Sequence, residues 1–133
     1  MPISETFNSE KINQHIVNWL KEYATNAKVN GFVVGISGGI DSALTSTLCA
    51  QTGLPTLCVE MPIHQHQSHV NRAIEHIKQL KRRFPNVSEI RTDLTPVFDA
   101  FSNQVEQNDE RKTLDITLAN TRARLRIDRK SVV

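Results

Sequence analysis

Six consecutive residues, Ser37-Gly38-Gly39-Ile40-Asp41-Ser42, set two glycines, two hydroxyls and one carboxylate between an apolar run and a helical pattern. Adjacent glycines let the chain turn tightly and let an anion reach the backbone with no Cβ in the way. The first amides of a following helix point outward as donors, and Ser37 and Ser42 add hydroxyls. Asp41 is the odd member, because a carboxylate beside a phosphate repels it unless a divalent cation lies between them. The combination points to a phosphate held together with magnesium. Two phosphate loops are excluded by inspection. The segment lacks the lysine of G-x-x-x-x-G-K-[ST], and Gly35, Gly38 and Gly39 do not fit G-x-G-x-x-G. The bland alternative is a plain strand-to-helix turn in which the glycines are steric and Asp41 caps the helix.

Three further groups could carry chemistry. His64, His66 and His69 form H-x-H-x-x-H, readable as a metal cluster or as a solvated loop flanking a nucleotide; no supporting shell is identifiable, which favours the loop. Arg122, Arg124 and Arg126 could grip an anion bidentately or form a solvated basic helix face. Cys49 and Cys58 have apolar neighbours, which suits small core residues better than reactive thiols.

These residues need a scaffold. Ile12, Ile16, Trp19, Leu20 and Tyr23 recur at helical spacing, so residues 10–27 read as an amphipathic helix ended by Asn30-Gly31. Phe32 to Ile36 reads as a short strand covered on both faces. Ala43, Leu44, Thr47 and Leu48 mark a second helix closed by Gly53 and Pro55, and Thr56 to Val59 repeats the strand signal. A third helix spans Ser68 to about Phe84, with basic residues in its last turns. Val87 to Arg91 is a weaker strand, and Thr95-Pro96 is a cap followed by proline at the first helical position. A polar loop over 106–112 precedes a last helix from about Leu114 to Ile127. Strands alternating with helices imply right-handed crossovers, a parallel sheet, and ligands at the strands' carboxyl ends.

With 133 residues the chain is the size of one domain. A formal charge of +2 gives no mandate for nucleic acid or membrane. No apolar run nears the roughly 20 residues needed to cross a bilayer, and no leader or repeat is recognisable. The expectation is a reduced, cytoplasmic protein with neither nucleic acid nor membrane as partner.

The Ser37 to Ser42 loop is similar to the pyrophosphate loop of ATP pyrophosphatases. Together with "GFVVGISGGIDSAL", "VEMPIHQ", "AFSNQ" and above all "LANTRARLRI", the chain resembles the ammonia-dependent NAD synthetases over about residues 10–127. The resemblance implies an α/β, parallel-sheet, adenine nucleotide alpha hydrolase-like (Rossmann-like) fold, incomplete at its carboxyl end. It implies ATP bound by Gly35, Ile36, Ser37, Gly38, Gly39, Ile40, Asp41 and Ser42, with Asp41 a magnesium ligand and Arg124 contacting deamido-NAD. The implied reaction is amidation: the nicotinate carboxylate attacks the α-phosphate, pyrophosphate leaves, and ammonia displaces AMP. A homodimer is implied as well, and free ammonia, or a partner that delivers it, is expected because no glutaminase segment precedes the fold. Glu60 departs from the pattern, since many relatives carry a basic residue near there for the nucleotide.

The resemblance stops after Ile127. Residues 1–127 are read as the amino-terminal part of one synthetase domain, and 128–133, Asp-Arg-Lys-Ser-Val-Val, as a non-native tail matching a translated sequencing-adaptor string. Strands missing from this fold would leave Phe32 to Ile36 as an apolar edge, and the fragment alone is expected not to complete the amidation. Two other readings stay open: an ATP- or pyrophosphate-binding module without turnover, and a tRNA-modifying relative using the arginine-rich helix.

Overall fold

The computed structural model describes residues 8–105 together with 121, 122 and 124. Helix α1 (Ser9–Asn26) opens on Asn8, whose side chain accepts from the Lys11 amide at 3.1 Å. It ends earlier than Asn30-Gly31. Ala27 donates to the Tyr23 carbonyl and Val29 to the Ala24 carbonyl, with Lys28 in the left-handed region at φ 56°. Gly31 has a different task. A Cβ there would lie 2.1 Å from the Pro55 carbonyl oxygen, to which Phe32 donates at 2.9 Å, so a side chain would push the entering strand off its neighbour.

Strands β1 (Phe32–Gly35), β2 (Thr56–Glu60) and β3 (Val87–Arg91) form a parallel sheet in the order β1-β2-β3. Phe32 lies opposite Thr56, and Thr56 opposite Val87. The crossovers are α2 (Ile40–Gln51) and α3 (Gln67–Arg83); α4 (Thr95–Val105) follows β3. Gly53, at φ 79°, closes α2 as its position suggests.

Strand alternation sorts the core into two layers. Val34, Ile36, Cys58 and Val87 pack against Cys49 and Ala50 of α2 and Ala73, Ile77 and Leu80 of α3. Val59, Met61 and Ile63 pack instead with Leu94 and Phe98, placing α4 on the opposite face. Both crossover helices therefore share one face, as two crossovers of the same hand require for a 1-2-3 order. Because α2 and α3 each follow a strand of the same direction, their amino-terminal ends meet beside the glycine turn.

Two expectations need correction. Strand β1 is at an edge of the described sheet and is not covered on both faces there: Val33 is 45% exposed. A continuous apolar run could not distinguish these cases, because coverage depends on neighbours remote in sequence. The apolar stripe of α1 is also only partly internal. Val17 and Ala24 are buried and Leu20 packs on the core, but Trp19 and Tyr23 stack on each other at 5.4 Å while 55% and 59% exposed.

At α4 the cap is Asp93 rather than Thr95: its Oδ1 accepts from the Thr95 amide at 2.9 Å. That hydrogen bond holds the Asp93 carboxyl below the usual aspartate range. Residues 106–120 and the tail 128–133 lie outside the described residues, and with them the expected loop and most of the last helix; Thr121, Arg122 and Arg124 are helical. No helix among the described residues is long and apolar enough to cross a membrane.

Asn86 joins the ends of two elements, its Nδ2 donating to the carbonyls of Ala50 at 2.9 Å and Leu54 at 2.8 Å. Asn86→Ala strips both acceptors of a donor and is expected to cost about 1–3 kcal/mol. Thermal unfolding followed by circular dichroism should drop by several degrees; an unchanged midpoint would show that water replaces the amide without loss.

Candidate functional site

The glycine turn sits where β1 ends and α2 begins, at the carboxyl edge of the sheet. Ile36 is buried and donates its amide to the Val59 carbonyl at 2.9 Å, so it anchors the turn. The serines brace the loop from within. Ser37 donates its amide to Ser42 Oγ at 3.2 Å, Gly39 donates its amide to Ser37 Oγ at 3.3 Å, and Ser42 Oγ donates to the Gly39 carbonyl at 3.2 Å. Their hydroxyls, expected as ligand donors, hold the loop's shape in this structure.

Asp41 is not a cap. The N-cap residue is Gly39, in extended backbone and without a side-chain cap, which places Asp41 second in the helix. Its carboxylate is exposed and makes no ion pair or hydrogen bond among the described residues, leaving it free for a cation. Gly35 and Gly38 are half-buried, and Gly39, Ile40 and Ser37 are exposed. Gly38 carries the strictest demand: its φ is 88°, and a Cβ would lie 2.3 Å from the His69 carbonyl oxygen. The turn thus rests directly on the first turns of α3.

Behind this contact a cleft of about 330 Å³ opens, lined by Ile36, Gly38, Gly39, Ile40, Ala43, Arg72 and His76. His76 Nε2 lies 2.8 Å from Ser46 Oγ, whose own proton is directed at the Ser42 carbonyl, 2.7 Å away. With the hydroxyl proton on that carbonyl, His76 Nε2 is the donor of the pair. Burial, aided by the positive charge of Arg83, pulls its pKa down and keeps it neutral. Residues 72 and 76 escaped the sequence reading. They are four apart on α3, but only the packing of α3 shows which flank of its apolar stripe meets the loop.

The histidine triplet divides its labour. His66 caps α3, its Nδ1 accepting from the Ser68 amide at 3.2 Å. His64, at φ 46°, pairs through Nε2 with Asp99 Oδ1 on α4 and meets Phe98 edge-on. His69 contributes the carbonyl under Gly38. Among the described residues no group of three or more His, Cys, Asp or Glu could hold a metal ion.

Arg122 is not part of a solvated face: it is half-buried, and its guanidinium lies over the Phe98 ring at 4.9 Å. Arg124 is exposed, and Arg126 lies outside the described residues. Both cysteines are buried, and burial pushes both thiols up, Cys58 to about 11, so neither is a thiolate at neutral pH.

Glu60 ends β2 at this same rim, 3% exposed, with Oε2 at 3.7 Å from Arg91 Nε and Oε1 without a hydrogen-bond partner among the described residues. Burial raises its pKa against the opposing pull of Arg91. A carboxyl raised on folding binds its proton more tightly in the native state. Stability is then greatest below the unfolded pKa of about 4.3 and falls as the pH rises through it toward the higher folded pKa. Glu60→Gln is expected to flatten that fall and to gain about 1–2 kcal/mol at pH 8 by removing a poorly paired buried charge. Urea titrations at pH 4 and pH 8 read the difference; parallel pH profiles for both proteins would contradict it.

With the geometry in place, comparison with known proteins is informative. Residues 12–130 match the NAD synthase family. The NH(3)-dependent NAD(+) synthetase of Finegoldia magna is 32% identical over 121 residues, covering 90% of this chain and 46% of that protein. Among solved structures, NMN synthetase from Francisella tularensis superposes with a TM-score of 0.77 at 31% identity, over 90% of this chain and 47% of that one. The NH3-dependent NAD synthetase of Campylobacter jejuni gives a TM-score of 0.72 at 27% identity, over 95% and 53%. The chain spans about half the length of these relatives. The α/β parallel-sheet fold is that of the adenine nucleotide alpha hydrolase-like proteins, and the chain belongs to the NAD synthase family.

Proposed function

We propose that these residues form the ATP-binding half of an enzyme that amidates deamido-NAD with ammonia, giving NAD, AMP and pyrophosphate. The observation that carries this is the glycine turn. Gly38 packs without a Cβ against α3, the serines hold the loop open, and Asp41 stands free at the first turn of α2. Gly35 to Ser42 would surround the phosphates of ATP. Residues 1–127 form the amino-terminal part of one domain on this reading, and the family match itself extends to residue 130.

Magnesium fits this site. Asp41 supplies one unpaired carboxylate, and magnesium is commonly held by one or two carboxylates with phosphate oxygens and water completing its shell. When bound, the ion would neutralise phosphate charge. The chain's own part is to orient the α-phosphate and to exclude repulsive contacts, through positioning and charge rather than a covalent nucleophile. Arg124, exposed on its helix, is proposed to contact the deamido-NAD substrate, itself a pyrophosphate. A homodimer and a cytoplasmic location belong to the same reading.

The likeness to an NMN synthetase favours one second reading, in which the amidated substrate is the corresponding mononucleotide. The test is calorimetric titration of the chain with ATP in the presence and absence of magnesium, followed by assays for AMP with ammonia and either deamido-NAD or the mononucleotide. ATP binding that requires magnesium supports the assignment. AMP formed with one acceptor only selects the substrate, ATP bound without AMP is the result expected of the ATP-binding half alone, and absence of ATP binding at millimolar concentration overturns the reading.

A further inference from the structure

ATP brings several negative charges to a loop that holds no lysine or arginine and one carboxylate of its own. A single magnesium ion does not balance that total, so a further cation must come from outside the loop. The cleft beside the turn shows where one is available. Ile36, Gly38, Gly39, Ile40 and Ala43 bring no charge to its walls, and burial favours the neutral form of His76. That leaves Arg72. Its side chain is exposed, lines the cleft from the second turn of α3, and makes no hydrogen bond or ion pair among the described residues.

The backbone contact fixes its distance from the loop. Because Gly38 sits against the His69 carbonyl with no side chain between, the first turns of α3 and the start of α2 are held together, and Arg72 follows His69 by three residues on that helix. The hydroxyls of Ser37 and Ser42 are engaged within the loop, which increases the share of phosphate recognition left to amides and to a guanidinium. A guanidinium suits the task, since its fork can donate two parallel hydrogen bonds to one phosphate.

We infer that Arg72 is a phosphate-binding residue of this cleft, contacting the polyphosphate of the nucleotide from α3. This rests on the ATP-binding reading above and adds to it a residue outside the glycine loop. The role is one of charge, so its signature differs from that of a structural residue: it acts on ligands carrying phosphate and leaves the nucleoside untouched.

The experiment is calorimetric titration of the 133-residue chain and its Arg72→Gln and Arg72→Lys variants with ATP, inorganic pyrophosphate and adenosine, at low and high salt, with unfolding midpoints recorded alongside. For Arg72→Gln the affinity for ATP and for pyrophosphate should fall roughly 10- to 100-fold, the range of a lost charge-assisted contact. Adenosine affinity should stay within about twofold, and the salt dependence of ATP binding should become shallower. Arg72→Lys, which keeps the charge but not the fork, should recover part of the loss. An unfolding midpoint close to that of the wild type is expected for a side chain this exposed. Equal losses for ATP and adenosine, or unchanged ATP affinity in a wild-type chain that binds ATP, would overturn the role of Arg72 while leaving the ATP site standing. A wild-type chain that binds neither ATP nor pyrophosphate would overturn both.

Discussion

Gly38→Val is expected to abolish detectable ATP binding and to lower the unfolding midpoint more than any other single change in the glycine turn. Two costs coincide at this position. The backbone is at φ 88°, where an L side chain loses roughly 1–2 kcal/mol, and a β-branched one fares worst. The new Cβ would also arrive 2.3 Å from the His69 carbonyl oxygen, a backbone atom that cannot swing aside. Either the turn lifts from α3 or the first turn of α3 shifts, and both movements displace the amides and Arg72 that face the proposed phosphate. Gly39→Ala is the matched control. Its φ of −87° is ordinary, and its nearest neighbour would be Ser37 Oγ at 3.4 Å, so folding should be almost unaffected. Differential scanning fluorimetry with calorimetric ATP titration separates the two. A stable, ATP-binding Gly38→Val protein would refute the close packing of loop on helix. Loss of ATP binding in folded Gly39→Ala would place a phosphate directly against that glycine.

Asp41→Ala is the second large effect, and its sign should reverse with the metal. With magnesium present, the variant should bind ATP roughly 10- to 100-fold more weakly than the wild type, because the one free carboxylate of the turn no longer anchors the ion. In EDTA the order should invert, with the variant binding free ATP as well as or better than the wild type, since a like charge beside the phosphates has been removed. The helix itself changes little, as an exposed first-turn acid contributes only about 0.3–1 kcal/mol through the helix dipole. Titrations in both buffers give the four affinities needed. Parallel losses with and without magnesium would assign Asp41 a structural part and remove it as a metal ligand.

Much of the frame was legible from residue types alone. The three strands and four helices over residues 9–105 fall close to the boundaries read from periodicity, because each has a strong local signature. The short apolar runs at 32–36 and 56–59 have too few residues for a helix, and α3 repeats its apolar residues at 70, 73, 77 and 80. Helix ends were less legible. Helix α1 ends on the left-handed Lys28, before the Asn30-Gly31 pair expected to end it, and Asp93 caps α4 from outside it, since both outcomes depend on backbone torsions that several residues can satisfy.

The amino-acid order by itself determined that a glycine-rich turn carrying an acid lies between a strand and a helix, and that the chain is an alternating α/β protein. These are local facts, dictated by glycine's missing Cβ, by proline and by hydrophobic period. The tertiary structure alone decided that Val33 of β1 is left exposed, that the serines brace the turn, and that Glu60 is buried with half its carboxylate unpaired among the described residues. It alone brought Arg72 and His76 from α3 to the cleft behind Gly38. The reason is geometric: two crossovers of the same hand set α2 and α3 side by side on one face, and a contact between residues thirty positions apart leaves no periodic trace in the chain that makes it.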